Sequence, residues 1–301
     1  TINTPEAITF GNQAVALAER LNYPKGKALG LKNLGLYNYY KSDFVPAGEY
    51  WRQALKVYEE LNDDAGRSNM LNNLCSINSA IGNTAKAMEY YLPALELAQK
   101  STDTLRLATA LNNVGSVYMT KPSTYEQALD YLNKALILGT KINDKASIGL
   151  SSLNLGEVYF SLKNDSAAFV NLTKATENFE PTDELLPYAL NSIGKLYSRK
   201  GQKELALTYH QEALKKAGNA GSKINIAQSS IYIGNYFEDN GLHEKALRYY
   251  DTARILAAEA KAGLELKQAY QGLSKSYFSK KDYLTAYKFR DLSAVLADSL
   301  F

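Results

Sequence analysis

Cysteine is nearly absent from this 301-residue chain. Cys75 stands alone, so neither an internal disulfide nor a cysteine-built zinc site can form. Histidine is almost as scarce; His210 and His243 are too few for most metal or catalytic constellations. Neither sign of charge dominates, with 34 basic against 31 acidic residues and a net charge of +3. That balance lacks the concentrated basic surface expected of a nucleic-acid binder. Only 19 glycines and 7 prolines are present, which excludes a collagen-like chain. No apolar run approaches the ~18 residues of a membrane span. The chain is nevertheless 46% hydrophobic, so it is not intrinsically disordered. Length alone would suggest about two globular domains.

What is present is a repeat. Small residues recur at Gly35, Cys75, Gly115, Gly156, Gly194, Gly234 and Ser274, each after a bulky aliphatic residue. Three residues on stand Asn38, Asn78, Tyr118, Tyr159, Tyr197, Phe237 and Tyr277. An alanine follows in every unit, at Ala47, Ala87, Ala128, Ala168, Ala206, Ala246 and Ala286. Two helical turns beyond it comes a second small residue, Ala54, Ala94, Ala135, Ala175, Ala213, Ala253 or Ser293. Between the two lies Trp51, Tyr91, Leu132, Leu172, His210, Tyr250 or Arg290.

Residues seven apart share one helical face, so Ala47 and Ala54 flank Trp51 in a groove that admits a second helix. Turn residues separate the two helices of a unit: Ser42-Asp43, Gly82-Asn83, Pro122-Ser123, Asn164-Asp165, Gly201-Gln202, Asn240-Gly241 and Lys281-Asp282. No segment sustains a period-2 alternation, so no strand is expected.

The L-G-x2-Y…A-x3-F/Y-x2-A pattern resembles the tetratricopeptide repeat, a helix–turn–helix unit. The resemblance covers essentially the whole chain. Its period is near 40 residues rather than about 34, which lengthens second helices or connections. HEAT and armadillo arrays have similar periods but lack the short alanine–aromatic–alanine signature. The resemblance implies an all-α, right-handed α-α superhelix of about fifteen helices forming one solenoid over 1–301. The units are 25–61, 65–100, 105–141, 146–179, 184–218, 224–260 and 264–301. Residues 1–24 read as a half repeat, with Thr4 to Leu21 as its second helix. Such an array presents a curved surface to a partner rather than a single globular core.

No chemistry-bearing motif stands out. HExxH, GxSxG, Walker A and dinucleotide fingerprints are all missing. Ser192–Lys195 matches SxxK, but Gly194 within it is the packing glycine of its unit. Cys75 occupies a position where five units carry glycine, which marks a small packing residue. His210 takes the bulky packing position, and His243 reads as a solvated residue after a turn. Glu238-Asp239 lack calcium-loop spacing. Tyrosine is abundant, 23 against 9 phenylalanines. A stacking platform for single-stranded nucleic acid would also need a basic groove. The expectation is therefore a non-enzymatic module without metal or cofactor, which binds no nucleic acid.

Asparagine supplies the candidate site. Asn33, Asn73, Asn113 and Asn154 share one repeat position, and Asn72 and Asn112 precede two of them. Asparagine is a mediocre helix former, so its recurrence in mid-helix asks for a reason. An amide donates and accepts at once, which suits a peptide backbone. The alternative is inherited repeat sequence whose amides contact only the neighbouring helix. The L-N-N-L-G flavour is similar to kinesin light chains, the LGN polarity adaptor and bacterial Rap-type peptide receptors. That resemblance implies an asparagine ladder on first helices gripping an extended peptide. Lys32 and Tyr39 are expected near one end of the groove, with Lys195, Arg199 and Lys275 further along. Ser192, Tyr232 and Gly272 interrupt the ladder in the last three units.

The expected role is the sensor or interaction region of a larger bacterial signalling protein; the alternatives are a stand-alone scaffold or adaptor that oligomerises through the solenoid and, less favoured, an enzyme or a single-stranded nucleic-acid binder. The closing Ala297–Phe301 resembles the junction after such sensor regions in histidine kinases, cyclases and response regulators. A membrane tether through a segment outside this sequence is one expectation. Dimerisation through the apolar stripe Leu292, Val295, Leu296, Leu300 and Phe301 is another. An extracytoplasmic and a cytoplasmic setting both fit.

Overall fold

The computed structural model describes residues 6–41, 43–80 and 83–300. Thr4, Ser42, Gly82 and Phe301, named above, lie outside these, as does the side chain of Leu300. The described residues form fifteen α-helices and no strand. α1 (Glu6–Arg20), α2 (Pro24–Tyr40), α3 (Phe44–Glu60), α4 (Asp64–Ala80), α5 (Thr84–Lys100), α6 (Thr104–Tyr118) and α7 (Tyr125–Lys141) lie in one compact unit, residues 1–147. The second unit, residues 148–301, holds most of α8 (Lys145–Ser161), then α9 (Asp165–Asn178), α10 (Leu185–Arg199), α11 (Lys203–Ala220), α12 (Lys223–Asp239), α13 (His243–Glu259), α14 (Gly263–Ser279) and α15 (Tyr283–Leu300). Within each unit consecutive helices pack as pairs.

Turn chemistry sets the helix boundaries. Asn83, Asp103, Asn164 and Ser222 cap α5, α6, α9 and α12 by accepting the backbone N–H three residues on. Asn22, Asn62 and Asn143 take positive φ between successive pairs, a conformation asparagine tolerates better than most side chains. Pro122–Thr124 forms a 3-10 turn before α7.

The repeat positions are the helix crossings. Ala47, Ala87, Ala128, Ala168, Ala206 and Ala246 are buried, and so are Ala54, Ala94, Ala135, Ala175, Ala213 and Ala253. Trp51, Leu132, Leu172, His210 and Tyr250 fill the space between them. Each sits over the small residue of its partner helix. A Cβ on Gly35 would come within 2.3 Å of the Trp51 ring, and one on Gly194 within 2.4 Å of His210. Where the small residue is not glycine, its side chain bonds across the crossing. The Cys75 thiol donates to the Ala87 carbonyl (3.3 Å), and the Ser274 hydroxyl donates to the Ala286 carbonyl (2.8 Å).

Aromatic pairs pin the same helices one turn further on. Tyr118 stacks on Tyr131, Tyr197 on Tyr209, Phe237 on Tyr249 and Tyr277 on Phe289, with ring centroids 5.3–5.7 Å apart. Asn38 and Asn78 take this place in α2 and α4, and each turns its amide back to the carbonyl four residues earlier.

Candidate functional site

The first helix of each pair carries the sequence-predicted residues. In the first unit Asn33 is exposed, Lys32 and Asn73 are half-buried, and Asn112 is buried. The Asn113 amide donates to Asn72 Oδ1 at 3.3 Å and so joins α6 to α4. Arg106 strengthens that junction by donating to the Ala65 carbonyl and to Asn69. Tyr39 packs its ring against Phe44 and Trp51, and this burial raises its phenol above the usual range.

In the second unit Asn154 is half-buried on α8. Lys195 on α10 lies 3.5 Å from Glu157 and over the rings of Phe160 and Tyr188. Arg199 sits over the Phe160 ring, 3.9 Å from its centroid, donates to the Phe160 carbonyl and pairs with Asp165. Lys275 on α14 pairs with Asp239 of α12 at 2.8 Å. All three expected cations of this unit thus hold an acidic partner across a helix interface. Burial, and then Glu157, raise the Tyr188 phenol. Burial, followed by Glu157 and Glu265, pushes Tyr232 up to about 12.

Two buried polar clusters sit behind this face. The Asn191 amide nitrogen donates to Ser229 Oγ at 2.8 Å, which leaves its oxygen to accept from His210 Nδ1 at 2.8 Å. His210 therefore carries its proton on Nδ1. Its ring stacks on Tyr232, and burial, aided by Lys195, drops its pKa to about 4. In the second cluster His243, expected to be solvated, is half-exposed and also reaches a buried acid. Its Nδ1 lies 2.9 Å from the carboxylate of Glu238, which is buried and also accepts from Ser276 and Ser279. Burial opposes the charge on Glu238, but these donors together outweigh it and lower its pKa.

Sequence reasoning named Lys195 and Lys275 on this face but missed Phe160, Asn235, Tyr236 and Gln271, which line its cavities with them. A cavity of about 320 Å³ lies among α10, α11 and α12, with His210 and Tyr232 in its lining. It shares Tyr232 and Asn235 with a second cavity of about 290 Å³, which reaches Gln268 and Gln271. The second shares Gln271 and Lys275 with a third, of about 640 Å³, beside α14 and α15. Shared lining residues place these three cavities side by side along the first helices. Glu157, Lys195, Asn235 and Lys275 each directly follow the small residue of their unit, a register that was present in the sequence. On α15, Leu292 and Val295 of the expected apolar stripe are exposed. The described residues hold no group of three or more His, Cys, Asp or Glu placed to bind a metal ion. None of the described helices is long and apolar enough to cross a membrane.

Residues 66–136 match the tetratricopeptide repeat family model. No curated protein sequence matches this one. Solved structures match over nearly the whole chain. The Rap conjugation gene regulator of plasmid pLS20, solved with the Phr* peptide, is 14% identical with a TM-score of 0.72, covering 94% of this chain and 77% of its own. The apo quorum sensor NprR of B. thuringiensis is 13% identical with a TM-score of 0.72, covering 96% and 82%. Aspartyl phosphate phosphatase F of Bacillus subtilis is 16% identical with a TM-score of 0.70, covering 91% and 70%. At these identities the likeness is one of fold.

Proposed function

We propose that this Rap-like tetratricopeptide array is a non-catalytic module that binds an extended peptide on its first helices, as the sensor or interaction region of a larger signalling protein. The observation that carries this reading is the amide register. Asn33, Asn73, Asn113 and Asn154 occupy one repeat position, and none of them is fully buried. Amides at regular intervals suit the repeating N–H and C=O groups of a peptide in extended form. The Rap regulator solved with the Phr* peptide supports the reading by analogy of fold. One structural neighbour is described as an aspartyl phosphate phosphatase, and at 16% identity that likeness is one of fold.

The test is a binding measurement with peptides selected on the wild-type chain. Asn73→Ala/Asn113→Ala removes two backbone contacts of about 0.5–1.5 kcal/mol each, so affinity should fall about fivefold to a hundredfold. Equal helicity must be confirmed first. Unchanged affinity would reduce the asparagines to scaffolding.

A second reading has its own observation. Phe10 on α1, and Leu284, Tyr287 and Val295 on α15, are large apolar side chains left exposed. They favour self-association through the terminal helices. A strictly monomeric chain in light scattering at high concentration would dismiss it.

A further inference from the structure

The cavity among α10, α11 and α12 differs from the rest of the groove in both shape and charge. Its inner surface is aromatic: the His210–Tyr232 stack, with ring centroids 4.7 Å apart, together with Phe160 and Tyr236. The low pKa of His210 leaves that stack uncharged at neutral pH. Phe160 closes the α8 side, its ring fixed by Arg199 at 3.9 Å and Lys195 at 5.1 Å. On the other side it shares Tyr232 and Asn235 with the neighbouring cavity, which reaches Gln271.

Charge at this closed end is cationic. Lys195 and Lys203 line the cavity. Lys195 is held only loosely by Glu157, at 3.5 Å. The one acid in the lining, Asp239, is already engaged by Lys275 at 2.8 Å. Ligand pockets span about 300–1,000 Å³, and this one, at about 320 Å³, lies at the bottom of that range. It accommodates a single residue, which must bring both an apolar ring and a negative charge. A chain end does so, because the α-carboxylate is attached next to the side chain.

We infer that this cavity is the anchor subsite for the C-terminal residue of a bound peptide. An aromatic side chain packs against His210, Tyr232 and Phe160, while the terminal carboxylate pairs with Lys195 and Lys203. The rest of the peptide runs along the groove past Asn235 and Gln271. This inference rests on the reading above that first helices bind an extended peptide; it places the end of such a peptide within the second unit, on α10 to α14, and adds the residue type at that end.

The experiment selects short random peptides with free C termini on the full 301-residue chain. The expected result is enrichment of Phe, Tyr or Trp at the last position. The best binder is then measured by calorimetry as free acid and as C-terminal amide, with the amide expected to bind about tenfold more weakly. Lys195→Met and Lys203→Met should each erase most of that difference. Ser198→Trp places a bulky ring at an exposed position in the cavity lining and should abolish binding without unfolding the chain. Three outcomes overturn the inference: no preference at the last position, equal binding of acid and amide, or full binding by Ser198→Trp. If peptides are enriched without any of the three anchor results, the peptide-binding reading survives and only the anchor fails. If no peptide is enriched, both fall.

Discussion

His210 Nδ1 lies 2.8 Å from Asn191 Oδ1, so a titratable ring fills the crossing position that leucine fills at Leu132 and Leu172. The ring is buried and its pKa falls to about 4, against about 6.5 in an unfolded chain. Between these values the unfolded state binds the extra proton, so folding stability falls as pH is lowered through that window. The expected loss between pH 7 and pH 4 is roughly 3 kcal/mol from this residue. Urea midpoints across the pH range should show the slope in wild type and a flatter one in His210→Leu. An equal slope in the variant would refute this.

Glu238 works in the opposite chemical sense but loses stability in the same direction. Its folded pKa is depressed, so its contribution is present above the unfolded carboxylate range and vanishes as pH falls through the folded value. Glu238→Gln should cost about 1.5–3 kcal/mol at pH 7, the range for hydrogen bonds to a charged group. The difference between wild type and variant should shrink below the carboxylate range. Denaturant melts at neutral and acid pH check both statements.

Gly35 has no room for a side chain. Trp51 lies against it, and the indole donates to the Lys32 carbonyl at 3.0 Å, which ties the ring in place. Gly35→Ala should destabilise the chain by about 1–3 kcal/mol through overpacking. Gly218 makes the contrast: it is helical, and a Cβ there meets nothing within 4 Å. Gly218→Ala should stabilise by about 0.5–1 kcal/mol. Thermal melts of both variants should move in opposite directions.

Cys75 should be inert. Burial raises its thiol well above the usual range, and its sulfur is engaged with the Ala87 carbonyl. A thiol reagent should label the native protein far more slowly than the urea-unfolded chain. Cys75→Ser keeps a donor in place, as Ser274 does for Ala286, and should change stability by less than about 1 kcal/mol. Rapid labelling of the native chain would contradict the burial argument.

Sequence alone determined the helices and their crossings. Gly35, Ala47, Trp51 and Ala54 define a contact between two helices that are close in the chain, and the recurrence of such a quartet fixes pairing by size alone. Turn residues such as Asn164 and Gly201 announced the breaks for equally local reasons. Cys75 and His210 were legible as packing residues because their repeat position told what they face. The groove was not legible in this way. Glu157, Tyr188, Lys195, Tyr232 and Asn235 come from three first helices, α8, α10 and α12, which are tens of residues apart in the chain. Glu238 carried no signal in the sequence beyond its lack of calcium-loop spacing, yet Ser276 and Ser279, on the next first helix, both donate to it. Local spacing specifies which face of a helix is small or bulky. Which polar side chains meet between one pair of helices and the next depends on how the pairs stack, and only the tertiary structure decided that.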